Sequence, residues 1–325
     1  MMVYLDVEEV PCNNCGVDDA DLLFEGRDRL HGQGGTFSLV RCRRCSLIYL
    51  NPRPTREEMS RYYPHEYEPF GRAIEDEPSA LKRWLLKYGI QRRCRAITAH
   101  KKGGRLLDVG CATGIFLAEM RQHGEWELHG VETNQEAAAY ARTRFGLDIF
   151  IGELEEASYP NCYFDVITLW DVLEHLPDPR SALLEMRRII RPDGVLLLQT
   201  PDGKSLESKL FGRLWIGLDI PRHLYVFTKE SLAALLERTG FQICTIYQLP
   251  SGYHAFRMSL GFVVDEKVKQ ERVRAALKRG FNSLAMQILM MPFFLAIRGL
   301  GWGSVMTVIA RQADDNFSPS GSKGE

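Results

Sequence analysis

The sequence predicts an α/β domain on a largely parallel sheet with helices on both faces, preceded by a small cysteine-bearing module. Three observations predict it. From Gly104 onward, short apolar runs alternate with helical patterns, as in a chain of βαβ units. The first run ends in an acid and a glycine turn, LLDVGCATG, before a helix opens. Ahead of them stand two C-x2-C pairs, Cys12/Cys15 and Cys42/Cys45.

The 325 residues are 45% apolar and 26% charged, ordinary for a globular chain with a sizeable core. That length suits one large or two modest domains. The net charge is −1, which announces no polycation, so a nucleic-acid partner is not expected. The opening MMVYLDVEEVPC has no basic segment leading into an apolar run, so no secretory signal is expected. Eight cysteines without a signal point to reduced thiols and a cytoplasmic location.

In chain order, residues 1–54 carry the paired cysteines. Four thiolates in two C-x2-C pairs suit a structural Zn²⁺ ion with Cys12, Cys15, Cys42 and Cys45 as ligands. The loop between the pairs is longer than usual for a zinc ribbon and must fold out. A redox pair is disfavoured, because neither pair lies in a βαβ context. Cys94, Cys111, Cys162 and Cys244 read as ordinary thiols.

Residues 55–103 form a polar helical linker broken at Pro64, Pro69 and Pro78. From Pro78 to Arg105 the cations run without one acid. This run is either a solvated helix face or a surface for an anionic partner. Tyr62, Tyr63 and Tyr67 read equally as pocket lining or as packing.

Residues 104–249 and 303–312 make the main domain. RLLDV, WELHGV, LDIFI, FDVITLW and GVLLLQT are its first strands, with helices IFLAEMRQH, NQEAAAYARTRF and RSALLEMRRII between them. KESLAALLERTG follows as a helix stopped by Gly240. FQICTIYQL and GSVMTVIARQ are the last two strands.

Residues 250–302 are an insertion, with a charged helical run DEKVKQERVRAALKR and an apolar LAMQILMMPFFLAI. The apolar run falls short of the ~20 residues that span a bilayer, and Gln287 and Pro292 interrupt it. Three roles stay open: a lid over a greasy substrate, packing against the module or a second subunit, and peripheral contact with the inner face of the membrane through 281–300. Residues 313–325 read as a disordered tail.

The glycine loop is the strongest local signal. A strand, a glycine turn and a helix bring a ligand to backbone and to a helix N-terminus. The middle glycine of a dinucleotide fingerprint is replaced by Ala112, and Asp108 precedes the loop. VET places Glu132 about 20 residues on, where an acid meets ribose hydroxyls. Acid, glycines and second acid together resemble the class I S-adenosylmethionine (SAM)-dependent methyltransferases. The resemblance runs from Gly104 to Gln312, with the insertion as its departure. It implies a seven-stranded Rossmann-like class I methyltransferase sheet whose last two strands are antiparallel, behind the zinc ribbon. It implies SAM as cofactor, held by Asp108, Gly110, Cys111, Gly114, Glu132, Glu153 and Asp171. Within that set Glu153 would meet the adenine, and Asp171 beside Trp170 the methionine moiety.

His175 and His223 both follow C-terminal ends of strands, where ligands bind in open α/β sheets. Either could act as general base for an oxygen acceptor, and either could be a packing histidine. Asp171, Glu174 and His175 form D-x-x-E-H, similar to the E-x-x-E-H of ubiquinone-biosynthesis O-methyltransferases, where it binds a divalent ion. That implies Mg²⁺ here, with a shorter first residue. Otherwise Glu174 and His175 shape the pocket.

LVRCRRCSLIYLNPRP with EEMSRYYPHEY resembles the N-terminal module of bacterial methyltransferases that modify sugars, glycans and related small molecules. It implies O- or C-methylation of a sugar, glycan or lipid-linked precursor. Arg41, Arg43 and Arg44 would then face an anionic acceptor. Ribosomal or transfer RNA methyltransferases with a zinc ribbon are the alternative, and a non-catalytic SAM-binding scaffold is the third.

Overall fold

A computed structural model describes residues 5–63, 74, 77, 79–249 and 252–313. Tyr67 and the tail from 314 lie outside the described residues.

The module consists of short strands: β1 (Val7–Glu8), β2 (Ala20–Gly26), β3 (Phe37–Cys42), β4 (Ile48–Leu50) and β5 (Arg53–Pro54). Each cysteine pair sits on a tight turn. The Cys12 carbonyl accepts from the Cys15 and Gly16 N–H groups, and the Cys42 carbonyl from Ser46. Gly16 and Ser46 close these turns in the left-handed conformation. A short helix α1 (Arg56–Met59), capped by Thr55, and the long α2 (Ala80–Thr98) lead into the main domain.

The main sheet begins β6 (Gly103–Val109), α3 (Ile115–Met120), β7 (Glu125–Glu132), α4 (Gln135–Phe145), β8 (Asp148–Ile151), β9 (Phe164–Trp170), α5 (Pro179–Ile189) and β10 (Ile190–Pro201). The chain continues through α6 (Leu206–Phe211), β11 (Tyr225–Val226), which joins the module's sheet, α7 (Lys229–Arg238) and β12 (Phe241–Leu249). The insertion supplies α8 (Gly252–Lys267), α9 (Glu271–Phe281) and α10 (Leu284–Leu300), and β13 (Val305–Gln312) closes the sheet.

Seven strands lie in the order β12-β13-β10-β9-β6-β7-β8. β10, β9, β6, β7 and β8 are parallel, and β13 runs antiparallel to both β10 and β12. This is the expected class I methyltransferase sheet. Its central strands bury continuous stretches such as Val166–Leu169 and Val195–Thr200, as a sheet covered on both faces requires. Helix ends follow their sequence signals: Asn134 and Gly146 bracket α4, Asp178 with Pro179 opens α5, and Thr228 and Ser231 form a capping box on α7. RPDG (residues 191–194) lies within β10, where the register against β9 shifts between Ile190 and Val195.

The module and the main domain share one core. β11 pairs antiparallel with β4, so the module's sheet reads β11-β4-β3-β2. Phe37, Leu39 and Tyr62 pack in the same cluster as Leu169, Phe227 and Leu232. At the centre of the joint is Arg222, the largest fully buried side chain. Its Nη2 donates to Asp28 Oδ1 at 2.9 Å and Asp219 Oδ1 at 2.6 Å, and its Nη1 donates to the Tyr62 carbonyl at 3.0 Å. Asp28 also accepts from the N–H groups of Leu30, His31 and Gln33.

Burial pushes the Asp28 carboxyl up, but the Arg222 guanidinium and these N–H groups hold it below the usual carboxylate value. A depressed carboxylate stabilises the fold above its unfolded pKa, and that contribution is lost as pH falls through the folded one. Arg222→Met strands two buried carboxylates and should cost about 3–5 kcal/mol. Urea unfolding at neutral pH measures it, and an unchanged midpoint would refute the role.

The charged run of the insertion is not one helix. It divides after Lys267, where burial stops: α8 buries Phe256, Ser259 and Val264, whereas α9 buries nothing. α10 packs Met290, Phe293 and Phe294 onto the core and buries Ile297.

Candidate active site

The glycine loop joins β6 to α3. Gly110, Ala112 and Gly114 all take left-handed backbone, which folds the chain tightly over the sheet edge. A Cβ at Gly110 would meet Val172 Cγ2 at 2.6 Å, and one at Gly114 would meet Leu147 Cδ1 at 2.6 Å. Cys111 is buried under the loop, and its N–H and that of Gly110 donate to the Val131 carbonyl. Burial and the nearby Asp108 push its thiol far up, so it is an inert packing thiol.

Two acids frame the loop. Asp108, at the end of β6, accepts from Thr168 Oγ1 at 2.6 Å. Burial pushes its carboxyl up to about 7, against the pull of Thr168 and Arg93. Glu132, at the end of β7, accepts from the Ala112 N–H at 2.8 Å and the Asn134 N–H at 2.7 Å. Burial raises it too, although those N–H groups pull it down. Two buried acids beside a hollow loop suit a cationic ligand bearing hydroxyls, so the residues fit SAM.

The other expected cofactor residues lie at neighbouring strand ends. Glu153 follows β8 and pairs with Arg56 of α1 at 2.8 Å, so the linker helix reaches this edge. Its carboxyl is raised by burial, which outweighs Arg56. Asp171 follows β9 in left-handed backbone and accepts from Gln199 Nε2 at 2.8 Å.

Arg93 was not singled out by sequence. From α2 it pairs with Asp171 at 3.2 Å, and its guanidinium lies 4.9 Å from the Trp170 ring centroid. The Trp170 indole N–H is buried without a partner among the described residues. Only an acid-free basic run could have flagged Arg93, and that run did not distinguish it from its neighbours.

The two histidines converge. Their rings are 4.6 Å apart at centroids and nearly perpendicular. His223 Nδ1 donates to the Gly217 carbonyl at 2.9 Å, and His175 Nδ1 to the Arg222 carbonyl at 3.0 Å. A carbonyl can only accept, so both protons sit on Nδ1, and neither Nε2 has a hydrogen-bond partner among the described residues. Tyr63 Oη lies 3.0 Å from His175 Nδ1, which brings Tyr63 to the histidine pair. Tyr62 instead packs edge-on to Phe37 and donates to the Gly34 carbonyl. Burial and His223 push His175 down to about 3, so it stays neutral.

Glu174 is buried, and its carboxyl oxygens make no hydrogen bond of normal geometry, although Thr200 lies beside them. Burial and Asp171 push it well above the usual carboxylate range.

The ligand atoms of Glu174, His175 and His223 all lie within 4.8 Å of one another. Asp171, expected in a D-x-x-E-H ion site, stands with Arg93 and Gln199 instead. One carboxyl oxygen against two ring nitrogens is a poor donor set for Mg²⁺, which favours oxygen ligands. The implied Mg²⁺ therefore does not fit, and no step is assigned to it.

The four cysteines of the module fit zinc. Cys12 Sγ lies 3.4 Å from Cys45 Sγ, and Cys15 Sγ 3.5 Å from Cys42 Sγ. These are far longer than a disulfide of about 2.05 Å. They approach the edge of about 3.8 Å expected of a tetrahedron with Zn–S of about 2.3 Å. N–H groups of Asn14 and Cys15 point at Cys12, and those of Arg44 and Cys45 at Cys42. Arg43, expected to face an acceptor, pairs with Asp19 and Asp21 on the module's surface instead.

A family model described as a methyltransferase domain matches residues 77–246, just over half of the chain. A ubiquinone biosynthesis O-methyltransferase of Aeromonas salmonicida is 27% identical over 174 residues, 51% of this chain and 73% of that protein. A probable S-adenosylmethionine-dependent methyltransferase of Mycolicibacterium smegmatis is 30% identical over 150 residues, 45% of this chain and 55% of that protein. A SAM-dependent methyltransferase structure from Archaeoglobus fulgidus covers 70% of this chain and 94% of its own, at 21% identity and a TM-score of 0.48. With the strand order and the acid–glycine–acid loop, the family match over more than half of its length establishes that the chain belongs to the class I SAM-dependent methyltransferases, with a four-cysteine module consistent with a zinc ribbon at its front.

Proposed function

We propose that the chain transfers the methyl group of SAM to an oxygen of a small-molecule acceptor, a sugar, glycan or lipid-linked precursor, with His223 taking the acceptor's proton. SAM supplies the electrophilic methyl. Asp108, Glu132 and the glycine loop would hold the cofactor, Glu153 would stand toward its adenine, and Asp171 with Arg93 toward its methionine end. The rate gain comes chiefly from holding acceptor and methyl in line, up to about 7–11 kcal/mol.

The observation that carries this reading is the pinned pair of histidines. The Gly217 carbonyl fixes the His223 tautomer, so its Nε2 is presented as an acceptor. His175, pushed down to about 3 by burial and by His223, is a poor base, and we assign it a positioning role. The O-methyltransferases among the relatives support oxygen as the target.

An apolar cavity of about 460 Å³ between α6, α8 and α10 supports the lipid-linked member of the class. Phe211, Phe256 and Met290 line it, and the loop that follows α6 carries Gly217. A screen with labelled SAM against nucleotide sugars, lipid-linked glycans and ribosomal RNA tests the reading. Label in either of the first two is expected, and label in RNA alone would overturn it.

Asp108 sets a pH dependence. Its raised pKa means that it is largely neutral below about 7, and a cationic cofactor binds the ionised form. SAM affinity should therefore weaken by about tenfold per unit as pH falls below that value, and level off above it. Calorimetry across that range, alongside Asp108→Asn with a flat profile, checks it.

A further inference from the structure

α10 has two faces. Phe293, Phe294 and Ile297 face the core. Leu284, Ile288, Met291 and Leu295 recur at helical spacing on the other side, and each is exposed by more than half. The same row continues to Arg298, whose guanidinium lies against the Tyr88 hydroxyl of α2. There a second apolar group begins: Trp84, 62% exposed, stacks on Tyr88 at 5.8 Å with Leu85 and Leu86 exposed beside it.

The two stripes therefore meet at Tyr88 and Arg298. The two helices that bear the stripes carry charge of one sign. α2 carries Arg83, Lys87, Arg92 and Arg95 with no acid, α10 carries Arg298 with no acid, and α9 ends in Lys278 and Arg279. Lys278 is paired with Asp265 of α8, and Arg95 lies over the Tyr88 ring. A water-exposed row of Leu, Ile and Met beside Trp and Tyr, ringed by cations, complements an anionic bilayer: the apolar side chains enter the acyl boundary and the cations meet phosphates. Among the described residues no single helix is long and apolar enough to cross a membrane; α9 and α10 together reach that length and composition, but they are bent by 62° at their junction.

We propose that the outer faces of α10 and α2 form a docking surface for an anionic lipid bilayer. The test uses the full chain and vesicles of phosphatidylcholine alone or mixed equally with phosphatidylglycerol. Co-sedimentation with the mixed vesicles, falling with added salt, is the expected result. Ile288→Glu combined with Leu295→Glu should lower the bound fraction at least about tenfold, and Trp84→Glu on the other helix should act in the same direction. SAM affinity by calorimetry confirms that each variant is folded, and the α2 variant still decides the matter if the α10 variant fails to fold. No pelleting with mixed vesicles, or pelleting unchanged in the folded variants, would overturn the proposal. A wild-type dimer that becomes monomeric in the α10 variant would assign the face to a second copy and overturn it as well.

Discussion

His223→Ala should lower kcat by about 10²–10⁴-fold while leaving SAM affinity within a few-fold. The ring is nearly buried, and its Nδ1 is committed to the Gly217 carbonyl, so Nε2 is the one nitrogen able to receive a proton. His175→Ala should cost less, because that ring is already held neutral by burial and by its neighbour. Partial recovery of His223→Ala with added imidazole would distinguish a lost base from a distorted pocket. A variant with full turnover would place proton removal elsewhere.

Cys42→Ser should collapse the whole protein, not only its front. Zinc binding to such sites supplies on the order of 10–16 kcal/mol toward folding. Losing about half of that, at roughly 2 °C per kcal/mol for a chain of this size, lowers Tm by roughly 10 °C or more. Cys12 and Cys42 are themselves fully buried in the shared core, and β4 is the pairing partner of β11. Burial pushes the Cys12 and Cys45 thiols up, so four thiolates need a dication between them. Elemental analysis should find one zinc per chain, and calorimetry after chelation should show the fall in Tm. Zinc-free protein with an unchanged Tm would contradict this account.

What could be read from the sequence was local. Apolar runs of strand length, caps such as Asn134 and Thr228, and the Asp108–Gly110–Gly114 loop announce themselves within a few residues. The four cysteines were legible because thiolate spacing has few other uses. The contacts that assemble the pocket were not legible, because their partners lie far apart in the chain. Arg222 and Asp28 are separated by 194 positions, and His175 and the Arg222 carbonyl by 47. Arg93 looks like any other cation on a basic helix until packing of α2 brings it onto Trp170 and Asp171. The D-x-x-E-H spacing suggested that Asp171 joins Glu174 and His175. Left-handed backbone at Asp171 is compatible with its turning toward Arg93 instead, and His223 arrives from a loop about fifty residues on.

The joint at Arg222 limits how this protein can be divided. The family match, residues 77–246, does not coincide with a unit that keeps its packing partners. A fragment cut there keeps Arg222 and discards Asp28, keeps β11 and discards β4, and keeps β10 while discarding β13. Arg222 and His223 are consecutive residues, so the joint that ties the ribbon to the main domain also fixes where the proposed base stands.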